Sequence, residues 1–352
     1  MDRGVIMKRR SFLKAAGTVA GGCALGLQPA ITRAAGGMNR TGKDTGSLPR
    51  RTLGKTGEKL SIVGFPGLAL RHYEQPECTR GVHRAFDRGL NYYDVAPAYG
   101  RDGECEIKMG IGLQDIPRDR IFLACKTKRR DKDGCREELE RSLKRLKTDH
   151  FDLYQMHCFF HPEEVEQAFG PNGAMETILK AKEEGKIRYI GYSAHTTKSA
   201  LAALKAFRFD TVMFPINFVE YYSFGFGREV LDLAAEQGTA VLAIKTTSGG
   251  AWPADMERTR QWWYRTLEEK EEIRMALRFT LAQKNVVAGI PPSFLDLLER
   301  TVDVAQQDKP ITDDELTELK NMAQNRPPVF LSQQIRAARN WDLRSCCHSA
   351  YV

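Results

Sequence analysis

Between residues 61 and 291 the chain repeats one pattern eight times: a short apolar run, a break, and a longer stretch with apolar residues at helical spacing. The apolar runs fall at 61–66, 90–96, 121–127, 151–158, 187–193, 211–217, 239–246 and 286–291. Amphipathic stretches at 76–89, 103–113, 134–147, 173–185, 197–206, 227–237, 267–284 and 294–307 alternate with them. Parallel strands need a crossover long enough for a helix, and strands covered on both faces lose strict polar alternation. The runs IFLACKT, VMFPINF and AVLAIKT have that character. Eight strand–helix units predict a closed (β/α)8 TIM barrel over 50–325. The preceding RTLGKTGEKLS, two short runs around a Thr-Gly turn, predicts a β-hairpin at the barrel floor.

The ends of the chain read differently. Residues 1–35 carry Arg3, Lys8, Arg9, Arg10, Lys14 and Arg33 against Asp2, so five of the eight net positive charges belong there and about three remain elsewhere. With no basic stripe interleaved with aromatics, nucleic acid is not an expected partner. The Arg9-Arg10 pair before Ser11-Phe12-Leu13-Lys14, a weakly apolar stretch and small residues near Ala34 resemble a twin-arginine export signal. Its implications are cleavage after Ala34 or Ala35, handling by the twin-arginine translocation machinery, and a periplasmic protein exported folded with its cofactor bound. Gly21-Gly22-Cys23 offers a lipidation site as the lesser alternative. The apolar stretch is too short and glycine-rich for a stable membrane span, and nothing later is apolar enough. Residues 36–49 read as a linker and 326–352 as a C-terminal tail holding Cys346-Cys347. The other cysteines are dispersed without metal spacing, so no metal site is expected; Cys125 and Cys158 read as small core fillers.

Barrel enzymes carry their chemistry at the C-terminal ends of strands. Four polar residues stand there or just beyond: Asp94 and Tyr99 in NYYDVAPAYG, Lys126 in IFLACKT and His157 in FDLYQMHC. Each alone has a structural explanation as a cap, a rim contact, an ion-pair partner or a satisfied core group. Together they form an acid–base set. Reducing a carbonyl by hydride leaves an alkoxide, which needs a proton donor and nearby positive potential. A phenol beside an ammonium meets that need, the ammonium being expected to lower the pKa of the phenol. No side chain supplies hydride, so a cofactor is required, and no G-x-G-x-x-G follows an early strand to make a Rossmann site.

In sequence order, the hairpin RTLGKTGEKLSIVGF, NYYDVAPAYG with Glu106 and Gly110, CKT, FDLYQMH, GKIRYIGYSAH and NVVAGIP resemble the aldo-keto reductase superfamily over about residues 50–325. The resemblance implies that Tyr99 is the general acid, Lys126 lowers its pKa, Asp94 pairs with Lys126, and His157 orients the carbonyl. It places nicotinamide across the barrel mouth with Ser193 on its carboxamide, and favours NADP(H) over NAD(H). Asn217 is a further mouth candidate. Lys245, Thr246, Ser248, Gly249 and Gly250 in AIKTTSGG offer donors and amides for a pyrophosphate. Ser293 and Arg300 are the groups able to meet a phosphate near the adenine. The chain departs from the family pattern at Ala194, where Asn is common, at Met213, where Gln is expected, and at Ile244 and Lys245, where an aromatic often stacks.

Phe159 and Phe160 after His157, and Trp252 in the long loop after the seventh strand, mark a substrate wall, with Trp252, Trp262 and Trp263 as lid candidates. They suggest a bulky or apolar small-molecule carbonyl. Three readings follow: a nicotinamide-dependent carbonyl reductase or reverse alcohol dehydrogenase; a nucleotide-binding sensor or partner subunit with slow or vestigial catalysis; and a sugar-active barrel, which needs a second carboxylate beside Asp94.

Overall fold

The computed structural model describes residues 48–307 and 309–337. The export-signal residues, Cys23, all but the end of the 36–49 segment, and Cys346-Cys347 lie outside the described residues.

A two-stranded antiparallel hairpin, β1 (Arg50–Thr52) and β2 (Lys59–Ser61), precedes the barrel. Its strands are β3 (Phe65–Pro66), β4 (Tyr92–Asp94), β5 (Phe122–Thr127), β6 (Phe151–Phe159), β7 (Ile187–Ala194), β8 (Thr211–Pro215), β9 (Ala240–Ile244) and β10 (Val286–Ile290), each parallel to the next in chain order. The ring closes where Val63 bridges Gly289: the Gly64 amide donates to the Gly289 carbonyl at 3.1 Å, and the Gly289 amide to Ile62 at 2.8 Å. The expected (β/α)8 barrel is therefore present. The first strand is shorter than the apolar run 61–66 because Ser61 pairs within the hairpin and Val63 reaches across the seam.

The helices are α1 (Gln75–Asp87), α2 (Glu104–Gly112), α3 (Lys132–Leu146), α4 (Pro162–Phe169), α5 (Ala174–Glu183), α6 (Thr197–Ala206), α7 (Phe218–Phe224), α8 (Arg228–Gln237), α9 (Lys270–Leu281), α10 (Leu295–Ala305), α11 (Asp313–Gln324) and α12 (Leu331–Ala337). All eight expected helices are among them, and α4, α7, α11 and α12 are additions.

Strand alternation sorts each run into two files. One file packs outward against the helices, as Tyr93, Leu123, Cys125, Tyr154 and Met156 do. The other forms the barrel interior: Leu53 and Leu60 of the hairpin meet Tyr92, Phe122, Ala124, Leu153, Ala240 and Leu242. Arg51 donates to the carbonyls of Leu281 and Val286, fixing the hairpin to the start of β10. The floor is thus a plug of side chains, and the polar ends of the same inward files emerge at the opposite mouth.

Residues 326–337, read as a tail, fold back onto that mouth. Phe330 is fully buried, stacks on Phe226 at 5.4 Å and meets Trp263 and His195 edge-on. The Glu220 carboxylate in α7 anchors the turn, accepting from the Val329 amide at 2.6 Å and the Phe330 amide at 3.2 Å. Burial pushes this carboxyl from 4.5 to about 7, so the folded chain holds a proton that the unfolded chain releases. Its contribution to stability is therefore full below pH 4.5 and is lost as pH rises through about 7. Unfolding free energy measured in urea for wild type minus Glu220→Gln is expected to decline across that window; a difference that ignores pH would contradict the assignment.

Candidate active site

The inward file of β4 runs Tyr92, Asp94; that of β5 ends at Lys126; that of β6 runs Leu153, Gln155, His157. Neighbouring parallel strands set these ends side by side, with Lys126 opposite Gln155 in register. The Lys126 side chain is fully buried and ion-paired with Asp94. Its amine also donates to the Val95 carbonyl at 3.2 Å. The second oxygen of Asp94 accepts from the Tyr92 hydroxyl and from Gln155 Nε2, both at 3.2 Å. Glycine at 191 makes room for this network: a Cβ there would lie 2.2 Å from Thr211 Oγ1 and 3.2 Å from Gln155 Cγ. Burial drives the Asp94 carboxyl upward, and Lys126, Gln155 and Tyr92 oppose it.

Above the pair stand Tyr99 and His157, rings 5.6 Å apart and nearly perpendicular. The Lys126 amine lies 5.1 Å from the centre of the Tyr99 ring. Burial, followed by the Asp94 carboxylate, pushes the Tyr99 phenol well above its ordinary range. This runs opposite to the depression expected from an adjoining ammonium, because desolvation dominates and the Asp94 carboxylate adds to it. Burial, with Lys126 and Lys128, pulls His157 well below its usual value, so its ring is neutral at pH 7. Its Nδ1 is buried with no hydrogen-bond partner among the described residues.

Tyr99, Asp94, His157, Ser193, Lys245 and Ser293 all border one cavity of about 90 Å³, roofed by Trp262, Trp263 and Tyr264. The Ser193 hydroxyl accepts from the Cys158 amide at 2.6 Å. Other expected residues lie outside this lining. Asn217 caps α7, its Oδ1 accepting from the Glu220 amide at 3.1 Å. Thr246 donates weakly to the Ile290 carbonyl. The loop amides expected for a pyrophosphate are engaged: Ser248 with the Lys245 carbonyl, Gly249 with Arg265, and Gly250 with the Ser248 hydroxyl. Arg300 donates to the Glu268 carbonyl. Phe159 is a core residue beneath Arg130, Phe160 packs against His161, and Trp252 supports the roof by donating to the Trp262 carbonyl at 2.8 Å.

The lining also contains Cys158, His195 and Lys128, which have no chemistry of their own in the sequence reading, beside Lys245, which the sequence offers as a pyrophosphate donor. Cys158 read as a core filler because its apolar run hides the irregularity between Met156 and Phe159 that redirects the backbone. His195 stands two residues beyond Ser193 on the same inward file, and that spacing was the available signal. Among the described lining residues Asp94 is the one carboxylate, so the paired-carboxylate sugar chemistry has no second partner here.

The cavity suits a ring-sized group. It is well below the roughly 300 Å³ at which ligand pockets begin. Trp262, Trp263 and Tyr264 of the 251–269 loop border it. That loop is clasped by Arg260, which joins Glu268 at 2.7 and 2.9 Å to Asp296 at 2.5 and 3.0 Å. Ser193 and Ser293 at the rim and neutral His157 in the wall offer polar contacts to a nicotinamide-sized group.

A family model described as "Aldo/keto reductase family" matches residues 64–323. Similar curated proteins include the L-galactose dehydrogenase of Arabidopsis thaliana, 35% identical over 40% of this chain and 47% of that protein. Another is the 6-dehydroglucose reductase of Novosphingobium aromaticivorans, 32% identical over 45% and 55% respectively. The chain thus matches about half the length of these relatives. Among solved structures, the holo form of aldo-keto reductase AKR11C1 from Bacillus halodurans superposes with TM-score 0.65 at 23% identity, covering 82% of this chain and 99% of the other. At that identity it speaks to the fold.

Removing one member of a buried ion pair leaves an uncompensated charge, at a cost of about 3–5 kcal/mol. Asp94→Asn keeps the shape and strands Lys126, so urea unfolding is expected to show a loss in that range. A change below about 0.5 kcal/mol, as for an ordinary surface substitution, would mean the pair carries no such weight.

Proposed function

The chain belongs to the aldo/keto reductase family, and on this basis we propose that it is an oxidoreductase reducing aldehyde or ketone carbonyls to alcohols, or running the reverse reaction. The observation that carries the reading is the facing of Tyr99 and His157 across one cavity above the Lys126–Asp94 pair.

Aldo-keto reductases use nicotinamide cofactors, and such a cofactor, when bound, supplies the hydride. Ser193 and Ser293 are the residues proposed to hold its nicotinamide end, with NADP(H) favoured over NAD(H). The chain's own residues do the rest. A phenol pushed well above its ordinary range stays protonated at pH 7 and serves as a donor. As the carbonyl oxygen gains negative charge, the Tyr99 hydroxyl gives it a proton, and the phenolate left behind lies beside the Lys126 ammonium. Neutral His157 orients the same oxygen by a hydrogen bond from one ring nitrogen. Asp94, fixed by Tyr92 and Gln155, holds Lys126 in place. The aromatic roof excludes water, which strengthens each of these interactions.

The engaged loop amides, with Ala194 and Met213 at family contact positions, favour one second reading: a nucleotide-binding sensor or partner subunit with slow catalysis.

Turnover of an aldehyde and ketone panel with NADPH and with NADH, in wild type and Tyr99→Phe, tests both. General acid catalysis contributes about 10²–10⁴-fold, so kcat is expected to fall by at least about 100-fold while nucleotide affinity stays nearly unchanged. Equal turnover in the variant would refute Tyr99 as the acid. Nucleotide binding without turnover in wild type would select the sensor reading.

A further inference from the structure

The mechanism leaves a second polar group in the same cavity unused. Lys245 immediately follows β9 with φ +59°, and Cys158 lies within β6 also with φ +59°. Both backbones occupy the left-handed region that side-chain-bearing residues seldom adopt, and such outliers gather where a side chain is held for a task. His195 joins them: its Nδ1 is 3.6 Å from Cys158 Sγ and its Nε2 is 3.4 Å from the Lys245 amine. The amine lies 5.6 Å from the centre of the Trp263 ring and 5.7 Å from that of Phe330. No carboxylate is among the charges acting on it from the described residues. Lys126, by contrast, is locked to Asp94.

We propose that Lys245 is a carbonyl-capturing nucleophile, its ε-amine condensing with an aldehyde in the cavity to form an imine while His195 relays the proton. The amine nitrogen attacks the carbonyl carbon, forming the C–N bond of a carbinolamine. One N–H proton passes through His195 Nε2 to the oxygen, giving the carbinolamine hydroxyl. The second N–H proton follows by the same route as the C–O bond breaks, so the oxygen leaves as water and the neutral C=N bond forms, which takes a proton from solvent to become the iminium. No electrons are gained or lost, so no oxidant or reductant is needed. The tautomer donating from His195 Nδ1 toward Cys158 makes Nε2 an acceptor facing the Lys245 amine, and burial keeps this ring neutral. Burial, reinforced by Lys126, also holds the Lys245 amine down at about 7, so much of it is the neutral nucleophile at physiological pH. The two aromatic faces favour the cationic iminium over the neutral aldehyde. The ligand class is a small unhindered aldehyde, a bulky ketone being opposed by the narrow cavity.

The proposal shares with the reductase reading only the admission of a carbonyl compound to this cavity. The test treats the purified chain with propanal and cyanoborohydride near neutral pH, followed by intact mass and peptide mapping. Lys245 is expected to gain a propyl group at least about tenfold faster than any exposed lysine. Tyr99→Phe is expected to label at the wild-type rate even though reduction is lost, so each reading can fail without the other. Lys245→Gln removes the fast adduct, and His195→Gln slows it. Mapping on wild type alone decides the matter if a variant does not fold: modification spread over surface lysines without enrichment at Lys245 overturns the proposal.

Discussion

A carboxylate and an ammonium buried together at the barrel's mouth constrain everything around them. Neither Asp94 nor Lys126 tolerates desolvation alone, and the barrel supplies the compensation: parallel register sets their strands adjacent, Tyr92 and Gln155 saturate the outer carboxylate oxygen, and Gly191 leaves the space Gln155 occupies. Such a pair is weak evidence for stability, since a well-packed apolar substitute can do as well. Its value is positional. It fixes a cation beneath the Tyr99 ring, where negative charge develops once the hydroxyl gives up its proton, while burial and the Asp94 charge keep the phenol protonated beforehand.

The barrel was legible because its information is periodic. Alternating apolar runs and amphipathic stretches fix strand and helix order, and the two-residue period of a strand places Asp94, Lys126 and His157 on the inward file. What escaped the reading was aperiodic. Helix α7 continues directly from an apolar strand run, so Phe218–Phe224 offered no change of period, and Asn217, taken for a mouth residue, is its cap. Helix α11 carried a readable sign in the Thr312 and Glu315 capping box. The docking of 329–330 joins a distant acceptor, Glu220, to the packing of Phe330 on Phe226 and Trp263, which no local pattern reveals. The roles of Gln155 and Tyr92 were within reach, each being two residues from a named site residue on the same face.

The loop after β9 governs what reaches this chemistry. Arg260 bridges Glu268 and Asp296, and with it the tryptophans close over the cavity while the loop's amides satisfy one another. Lys245 lies beneath the same roof, its amine 5.6 Å from the centre of the Trp263 ring.

The central claim is that the oxygen of a bound carbonyl compound is held jointly by Tyr99 and His157. A crystal structure with NADP+ and an unreactive carbonyl analogue measures this directly. The account predicts that oxygen within hydrogen-bond reach, about 2.6–3.2 Å, of both the Tyr99 hydroxyl and a His157 ring nitrogen. An oxygen seated instead between Lys245 and His195, with the Tyr99 hydroxyl out of reach, would contradict it.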